Sequence, residues 1–160
     1  MQIKIILSLV SVVFAGPVIR QQTKPVQIYS KTGKFMSIQS SGIVRAVNGK
    51  LHENSLVDIV PVGKNRFQIR GSVTGLYLQV DKRQKIRTTI FDTEATVFSE
   101  EILEQNNFRS FRLADNEDCK LSMNRKGYKV VCSKGFRVKN ISFLPKKSHI
   151  PKSFYRGAGY

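Results

Sequence analysis

The sequence is poor in the side chains on which most catalytic and metal sites depend. Its 160 residues include no tryptophan, two histidines and two cysteines. No spacing among His52, His149, Cys119 and Cys132 matches a metal site or a catalytic motif, and there is no glycine-rich phosphate loop. The sequence therefore indicates a protein that is not an enzyme and that holds no metal and no cofactor.

Acidic residues are also scarce. The chain has 11 Asp and Glu against 27 Lys and Arg, which gives a formal net charge of +16. A surplus of this size favours a polyanionic partner, namely nucleic acid, anionic lipid or sulfated glycan. The hydrophobic content of 41% is ordinary for a globular protein, and the length suits one domain with a real core.

Long hydrophobic runs are missing, with one short exception at the N-terminus. Lys4 precedes an apolar run at 5–14, and Val13 and Ala15 occupy the −3 and −1 positions of a cut before Gly16. This is the pattern of a secretory signal peptide at 1–15, with a buried first strand or helix as the alternative. A bilayer span needs about 20 apolar residues, so the run is too short for a permanent anchor. We expect a secreted, extracellular protein with no integral membrane segment in the mature chain, which disfavours nucleic acid.

Between residues 28 and 147, short apolar runs alternate with turn signals and show no helical period. This spacing is typical of an all-β domain. Residues 16–27 predict a flexible lead-in and residues 148–160 a basic, mobile tail. The last strand is expected to stop at Pro145, which cannot donate to a ladder. The predicted strands are 28–30, 35–39, 43–46, 57–62, 67–70, 76–80, 86–89, 95–100, 108–113, 120–123, 128–132 and 140–144.

Some of these strands repeat along the chain. FMSI at 35–38 resembles YLQV at 77–80, 42 residues later, and both resemble KLSM at 120–123. Three units, each too small to bury its own apolar face, predict a β-trefoil of twelve short strands, with a six-stranded barrel capped by hairpins. The predicted core is Phe35, Ile38, Val57, Ile59, Phe67, Ile69, Leu76, Leu78, Val80, Val97, Phe98, Phe111, Leu113, Leu121, Met123, Val130, Ile141 and Phe143.

Residues 119–147 contain both cysteines and an unusual charge pattern. From Cys119 to the C-terminus there are eleven Lys and Arg and no acid. Apolar runs flank the NRKG turn at 124–127, whose glycine tolerates positive φ. A hairpin about this turn places Cys119 opposite Cys132, which predicts a disulfide, with two buried free thiols as the alternative. A cationic loop between apolar strands indicates an anion site, because solvated faces usually mix both signs.

Several motifs resemble those of the fibroblast growth factor family. IRGSVTGLYLQVD at 69–81 is similar to the family's strand–turn–strand motif, and YSKTG at 29–33, VFSE at 97–100, EQNNF at 104–108 and SFLP at 142–145 match further along. The resemblance covers about residues 26–147. It implies a β-trefoil, secretion, heparan sulfate as a co-ligand and activation of a fibroblast growth factor receptor, a receptor tyrosine kinase. Such a mitogenic ligand would be monomeric until it assembles on glycan and receptor.

The resemblance also implies a heparan sulfate site in the loop after the tenth strand, with help from the first hairpin turn. Thr32 replaces a usual Asn there. Val130 and Val138 occupy two of the family's glycan-contact positions, and the adjacent Lys129 and Arg137 are expected to substitute for them. The predicted glycan-binding residues are Thr32, Arg125, Lys126, Lys129, Lys134, Arg137 and Lys139.

Receptor contacts carry over from the family less completely. Phe108 stands where the family usually has Tyr, and Lys146 stands where an apolar residue is common. One extra residue near Gln105 makes Glu101 an alternative to Glu100. The predicted receptor-binding residues are Tyr29, Glu100, Asn106, Phe108 and Leu144.

Rival functions make different demands on the sequence. A trefoil lectin would show repeated Gln-x-Trp motifs, and a trefoil protease inhibitor would be less basic. An interleukin-type trefoil cytokine and a decoy that binds glycan or receptor without signalling stay open as alternatives. The sequon Asn140-Ile141-Ser142 adjoins the predicted sulfate site, so we expect it to be poorly used.

Overall fold

Twelve short β-strands and three 3-10 turns make up the part of the chain that the structure describes. This computed structural model describes residues 24–49, 52–103, 107–132 and 137–147. The predicted signal peptide, residues 16–23 of the predicted lead-in, the tail at 148–160, and the candidates Asn106 and Lys134 lie outside these residues. Within the described ranges, no helix is long and apolar enough to cross a membrane.

The strands are short and evenly spaced along the chain. The 3-10 turns are Glu53–Ser55, Asp92–Glu94 and Val138–Ile141. In chain order the strands are β1 (Val26–Ser30), β2 (Phe35–Ile38), β3 (Val44–Val47), β4 (Leu56–Gly63), β5 (Arg66–Gly71), β6 (Tyr77–Val80), β7 (Ile86–Thr89), β8 (Phe98–Ile102), β9 (Arg109–Leu113), β10 (Asn116–Asn124), β11 (Gly127–Val131) and β12 (Phe143–Lys147).

Antiparallel pairing closes six of these strands into a ring. β1 pairs with β4, β4 with β5, β5 with β8, β8 with β9 and β9 with β12, and β12 returns to β1. The hairpins β2–β3, β6–β7 and β10–β11 extend from ring strands β1, β5 and β9. β3, β7 and β11 contact one another, so the hairpins cover one end of the ring. The predicted β-trefoil of twelve strands is confirmed, and this ring corresponds to the predicted barrel.

Aromatic rings occupy the centre of the ring of strands. The centroids of Phe67 and Phe111 are 5.2 Å apart, and those of Phe111 and Phe143 are 5.3 Å apart. Phe98 stacks on Phe67 at 6.1 Å. Large buried rings dominate the burial energy of a small core. The core cluster is Ile28, Met36, Ile38, Val57, Phe67, Ile69, Leu78, Phe98, Phe111, Leu113, Cys119, Leu121, Met123, Val130 and Phe143.

Most of the predicted core is confirmed, and the differences have local causes. Met36 was missed because all four residues of β2 are buried, so alternation does not separate an inner face from an outer face there. Ile28 is fully buried although its predicted strand was only three residues long. Ile59, Leu76 and Val80 pack against the core but are only partly buried.

The internal repeat is visible in the turns of the first two hairpins. Gly42 N–H donates to the Gln39 carbonyl at 2.9 Å, and Gln84 N–H donates to the Asp81 carbonyl at the same distance. Gly42 and Gln84, 42 residues apart, both have positive φ, at 82° and 61°. The third hairpin has a tighter turn that ends at Gly127, with φ 121°. Positions 42 and 84 of the repeat thus have the same backbone conformation although their side chains differ.

Two predicted boundaries at the chain ends are wrong. β12 is Phe143–Lys147 rather than 140–144, because residues 138–141 form a 3-10 turn and the strand continues through Pro145. Pro145 stands opposite Ile28 of β1. On its other edge, β12 pairs with β9 only at Phe143, so the missing N–H of Pro145 interrupts no hydrogen bond to β9. β1 begins at Val26, inside the predicted lead-in, where Gln27 is buried and its Nε2 donates to Ser55 Oγ at 2.7 Å.

The β10–β11 hairpin has the register predicted from its turn. Leu121 stands opposite Val130, and Lys120 stands opposite Val131. One step further out, Cys119 and Cys132 are joined by a disulfide across 13 residues of sequence. Cys119 is buried in the core cluster, so the bridge fixes the end of β11 to the core.

Removing this bridge should destabilise the fold. The variant Cys119→Ala/Cys132→Ala should unfold with a free energy lower by about 3 kcal/mol, because a loop of this length restricts the unfolded chain. Urea unfolding followed by circular dichroism measures the change, since the chain has no tryptophan. A reductant should lower the midpoint of the wild type and leave that of the variant unchanged. Equal midpoints for oxidised and reduced wild type would contradict the expectation.

Candidate functional site

Six cationic side chains converge on one surface groove of about 690 Å³. The groove lies among the β1–β2 turn, the tip of the β10–β11 hairpin and the 3-10 turn before β12. Within the described part of the chain, no carboxylate lines it, and none of the ion pairs found there involves these six cations. This cationic groove is lined by Lys31, Lys34, Arg125, Lys126, Arg137 and Lys139, with Thr32, Met123, Asn124 and Asn140 between them.

Tight backbone turns set the positions of the first two cations. Gly33, at φ 94°, donates its N–H to the Ser30 carbonyl at 2.9 Å, and Ser30 N–H donates to the Lys34 carbonyl at 2.8 Å. The N–H of Lys31 donates to the Ser142 carbonyl at 3.0 Å, which ties this turn to the chain entering β12. Two segments more than 100 residues apart in sequence therefore share one wall of the groove.

Local hydrogen bonds order the other walls in the same way. Asn124 Oδ1 accepts from the backbone N–H of Lys126 at 2.8 Å, which bends the hairpin tip. Asn140 N–H donates to the Arg137 carbonyl at 2.8 Å within the 3-10 turn. The backbone that bears the cations is thus held before any ligand arrives.

The chemistry of the groove suits a ligand with several anionic groups. Like charges gathered in one groove repel one another in the free protein, and an anion that enters relieves this repulsion. The guanidinium groups of Arg125 and Arg137 can match two oxygens of a sulfate or phosphate, and the lysines add point charges. Each contact also releases counterions from a polyanion, which favours binding at low salt.

An apolar surface adjoins this groove. Tyr29 stands directly opposite Leu144 in the β1–β12 pair. Lys31 lines the groove, and its Nζ also lies 5.6 Å from the ring centre of Phe108. Lys146 Nζ lies 4.0 Å from the ring centre of Tyr29. We use the name aromatic face for the three predicted receptor residues Tyr29, Phe108 and Leu144; a lysine makes a cation–π contact with each of the two rings.

The two candidate carboxylates on β8 have different surroundings. Glu100 accepts from Arg109 Nη1 at 2.6 Å and lines a shallow groove with Pro145. Glu101 stands on the opposite side of the strand, where it pairs with Arg112 and accepts from Lys120 Nζ at 3.3 Å. Glu101 is therefore held within the protein by cations of β9 and β10.

A model of the fibroblast growth factor family matches residues 24–143. The chain belongs to the fibroblast growth factor family. The matched range contains β1 to β11 complete and the first residue of β12. Fibroblast growth factor 8 of Gallus gallus is 30% identical over 112 residues, which are 68% of this chain and 51% of that protein. The chain thus spans about half the length of this curated relative.

Fibroblast growth factors are growth factors and not enzymes. In the described residues of this growth factor, no three His, Cys, Asp or Glu side chains come together as ligands for a metal ion. The predicted binding residues that the structure describes are distributed over the cationic groove, the aromatic face, the groove beside Glu100 and a further groove that holds Lys129.

Five of the seven predicted glycan-binding residues line the cationic groove of this growth factor: Thr32, Arg125, Lys126, Arg137 and Lys139. The Thr32 hydroxyl is hydrogen-bonded within the protein: it lies 3.0 Å from Ser30 Oγ and 3.3 Å from Met123 Sδ. Lys134 lies outside the described residues.

Lys129 lies elsewhere, and two cations were missed. Lys129 lines a second groove, with residues 41–44 and 84–88, and does not line the cationic groove. Lys31 and Lys34 line the cationic groove but were not among the predicted residues. They could have been found from the sequence, because they flank the Thr32-Gly33 step of a predicted turn in a family motif.

The sequon residue Asn140 lies on the lining of the cationic groove. The hydroxyl of Ser142, the third sequon residue, donates to the Val138 carbonyl at 2.6 Å and is buried. A glycan on Asn140 would occupy the space that the groove offers to a ligand. The prediction that this sequon is poorly used follows from that position and stays a prediction.

Glu101 is expected to stabilise the protein in a pH-dependent way. Burial pushes the pKa of Glu101 up, but hydrogen bonds from Arg112 and Lys120 outweigh it and hold that pKa below its ordinary value of 4.5. The stabilisation is therefore complete above about pH 4.5 and is lost as the pH falls through the lowered pKa. Glu101→Gln should reduce the free energy of unfolding at pH 7 by about 1 kcal/mol, since the site is partly exposed.

Urea unfolding from pH 3 to pH 7 measures this difference. At the acid end of the range the curves of the wild type and Glu101→Gln should approach each other. Glu117→Gln is the matched control, because Glu117 is far more exposed and stands 3.8 Å from Arg112. Equal losses for both variants at pH 7 would refute the role of Glu101.

Proposed function

We propose that this fibroblast growth factor is secreted, binds heparan sulfate in the cationic groove and activates a receptor tyrosine kinase at the cell surface. The observation that supports this most is the convergence of six cations, without a carboxylate, on a groove that adjoins the aromatic face. Sulfated glycan suits such a groove because its charges are closely spaced along a flexible chain. Family membership supports the class of ligand.

Secretion is supported by two independent features of the chain. The N-terminal 15 residues have the pattern of a signal peptide. The disulfide between Cys119 and Cys132 is typical of proteins folded in an oxidising compartment. Heparan sulfate is an extracellular polymer, so export and the proposed ligand agree.

The position of Lys31 suggests how glycan and receptor could act together. Its ammonium group borders both the cationic groove and Phe108 of the aromatic face. A receptor that covers Tyr29, Phe108 and Leu144 would come close to a glycan lying in the groove. The glycan would then contact both proteins and hold the growth factor, otherwise monomeric, on its receptor.

Receptor preference is proposed to depend on Lys146. Its ammonium group lies over the Tyr29 ring, at a position where the family often has an apolar residue. A partner that covers Tyr29 must either pair this charge or exclude it from water at a cost. A carboxylate on the receptor opposite Lys146 is the partner group expected.

Substitution of the 3-10 turn cations should weaken glycan binding. The variant Arg137→Gln/Lys139→Gln should elute from a heparin column at lower salt and bind heparin more than tenfold more weakly at physiological salt. Two charge-assisted contacts are lost. The slope of log affinity against log salt concentration should therefore become shallower by about 0.7–0.9 for each lost contact. Titration calorimetry at several salt concentrations measures both.

The matched control for this variant is Lys64→Gln/Lys147→Gln. Both lysines are exposed and neither lines the cationic groove, so the control makes the same change in net charge. Elution of the two variants at the same salt concentration would mean that overall charge alone governs heparin binding, against the proposal.

Glu100 should matter for the receptor where Glu101 does not. Glu100→Gln keeps the size of the side chain and removes its charge, so receptor affinity should fall about tenfold. Glu101→Gln is the control, since Glu101 is also ion-paired but stands on the opposite side of the strand. Surface plasmon resonance on the receptor ectodomain with heparin present measures both variants. Loss of affinity with Glu101→Gln alone would reverse the assignment.

Receptor phosphorylation in cells separates the agonist from the alternatives. With heparin added, the wild type should raise phosphorylation of a fibroblast growth factor receptor, and Glu100→Gln should need a higher dose. Receptor binding without phosphorylation would identify a decoy. Absence of receptor binding, with heparin binding retained, would favour a trefoil cytokine that acts through another receptor.

A further inference from the structure

A second cationic surface lies at the end of the molecule that the hairpins cover. It is a groove of about 590 Å³ lined by residues 41–44, 84–88 and 128–129, and we call it the hairpin groove. Of the residues that the structure describes, Lys85, Arg87 and Lys129 are the cations that line it, and no carboxylate does. Lys129, which sequence reasoning assigned to the cationic groove, belongs to this surface.

The β6–β7 hairpin concentrates positive charge beside this groove. Residues 82–87 read KRQKIR, with four cations in six positions. The adjacent carboxylate, Asp81, is used by the turn itself: Oδ1 accepts from the N–H groups of Arg83 and Lys85 at 2.8 and 2.9 Å, and Oδ2 accepts from Arg87 Nε at 2.7 Å. Among the described residues, Lys82, Arg83 and Lys85 therefore project their charges without an ion-pair partner.

Two of the three walls of the hairpin groove are joined to each other. Thr88 Oγ1 donates to the Gly42 carbonyl at 3.0 Å, which joins the β6–β7 hairpin to the β2–β3 turn. Gly42 has φ 82°, and a Cβ there would meet Thr88 Oγ1 at 2.9 Å, so the approach requires glycine. A groove whose walls are already in place spares a ligand the cost of ordering them.

The β10–β11 hairpin connects this surface to the cationic groove. Arg125 and Lys126, at its tip, line the cationic groove, whereas Tyr128 and Lys129, just beyond its turn, line the hairpin groove. A polyanion leaving one groove therefore needs to cross only one hairpin to reach the other. Along that path it meets cations on both sides and no carboxylate that lines either groove.

We propose that the hairpin groove is a second binding site for sulfated glycosaminoglycan, and that a sufficiently long chain occupies both grooves by crossing the β10–β11 hairpin. The ligand class rests on the proposed function, whereas the second site rests on the charges and the joined walls of the hairpin groove. Short oligosaccharides occupy the cationic groove alone. Affinity therefore rises with chain length beyond the length that fills one groove.

The test uses size-defined heparin oligosaccharides and the full mature chain. Lys85→Gln/Lys129→Gln removes two cations of the hairpin groove; the turn bonds of Lys85 are made by its backbone, and Lys129 is exposed, so the fold is retained. Titration calorimetry should show unchanged affinity for the shortest binding oligosaccharide. For the longest oligosaccharide, affinity should fall at least tenfold. The slope of log affinity against log salt concentration should become shallower by about 0.7–0.9 per cation removed.

Two control variants make the outcomes distinguishable. Lys64→Gln/Lys147→Gln matches the change in net charge outside both grooves. If this control and Lys85→Gln/Lys129→Gln bind long oligosaccharides with equal affinity, the second site is overturned. It is also overturned if Lys85→Gln/Lys129→Gln loses the same affinity for short and for long oligosaccharides. Arg137→Gln/Lys139→Gln should lose short-chain binding; if it does not, the proposed function of the cationic groove fails and the path through both grooves fails with it.

Discussion

The pairing of β1 with β12 is the contact on which the cationic groove and the aromatic face depend. It closes the ring of six strands and joins residues 26–30 to residues 143–147. Through it, Tyr29 meets Leu144, and the turn bearing Lys31 and Lys34 reaches the chain that bears Arg137 and Lys139. Closing so long a loop is entropically costly, and the buried phenylalanines of the core offset that cost.

No ion-paired carboxylate among the described residues lines the cationic groove, whereas Asp81 pairs with Arg87 of the hairpin groove. The ion pairs Asp58–Arg70, Glu100–Arg109 and Glu101–Arg112 lie on ring strands β4, β5, β8 and β9. The hairpin tips and the 3-10 turn before β12 hold the cations that line the two grooves. Self-repulsion at those places reduces stability, while the core and the disulfide maintain the fold. This distribution gives the lining of the cationic groove a uniformly positive charge.

Local patterns in the sequence predicted the hairpins well because a hairpin is governed by its turn. The NRKG turn implied both the register of β10 with β11 and the facing position of the two cysteines, and both are seen. The repeat of 42 residues implied the trefoil because each repeat contains one such hairpin. Boundaries at the ends of the chain were predicted poorly. A proline ends a strand in most contexts, but at Pro145 strand β12 no longer pairs with β9, so the strand can continue.

Reasoning from the sequence alone determined the all-β class, the three units, the net positive charge and the family motifs. These depend on residue types and short spacings, which the chain itself displays. The tertiary structure alone decided which cations act together. Lys31 and Lys34 join Arg137 and Lys139, whereas Lys129, close in sequence to Lys126, lines a different groove. The reason is that ring closure and the direction of each side chain on its strand determine proximity, and neither is a local property.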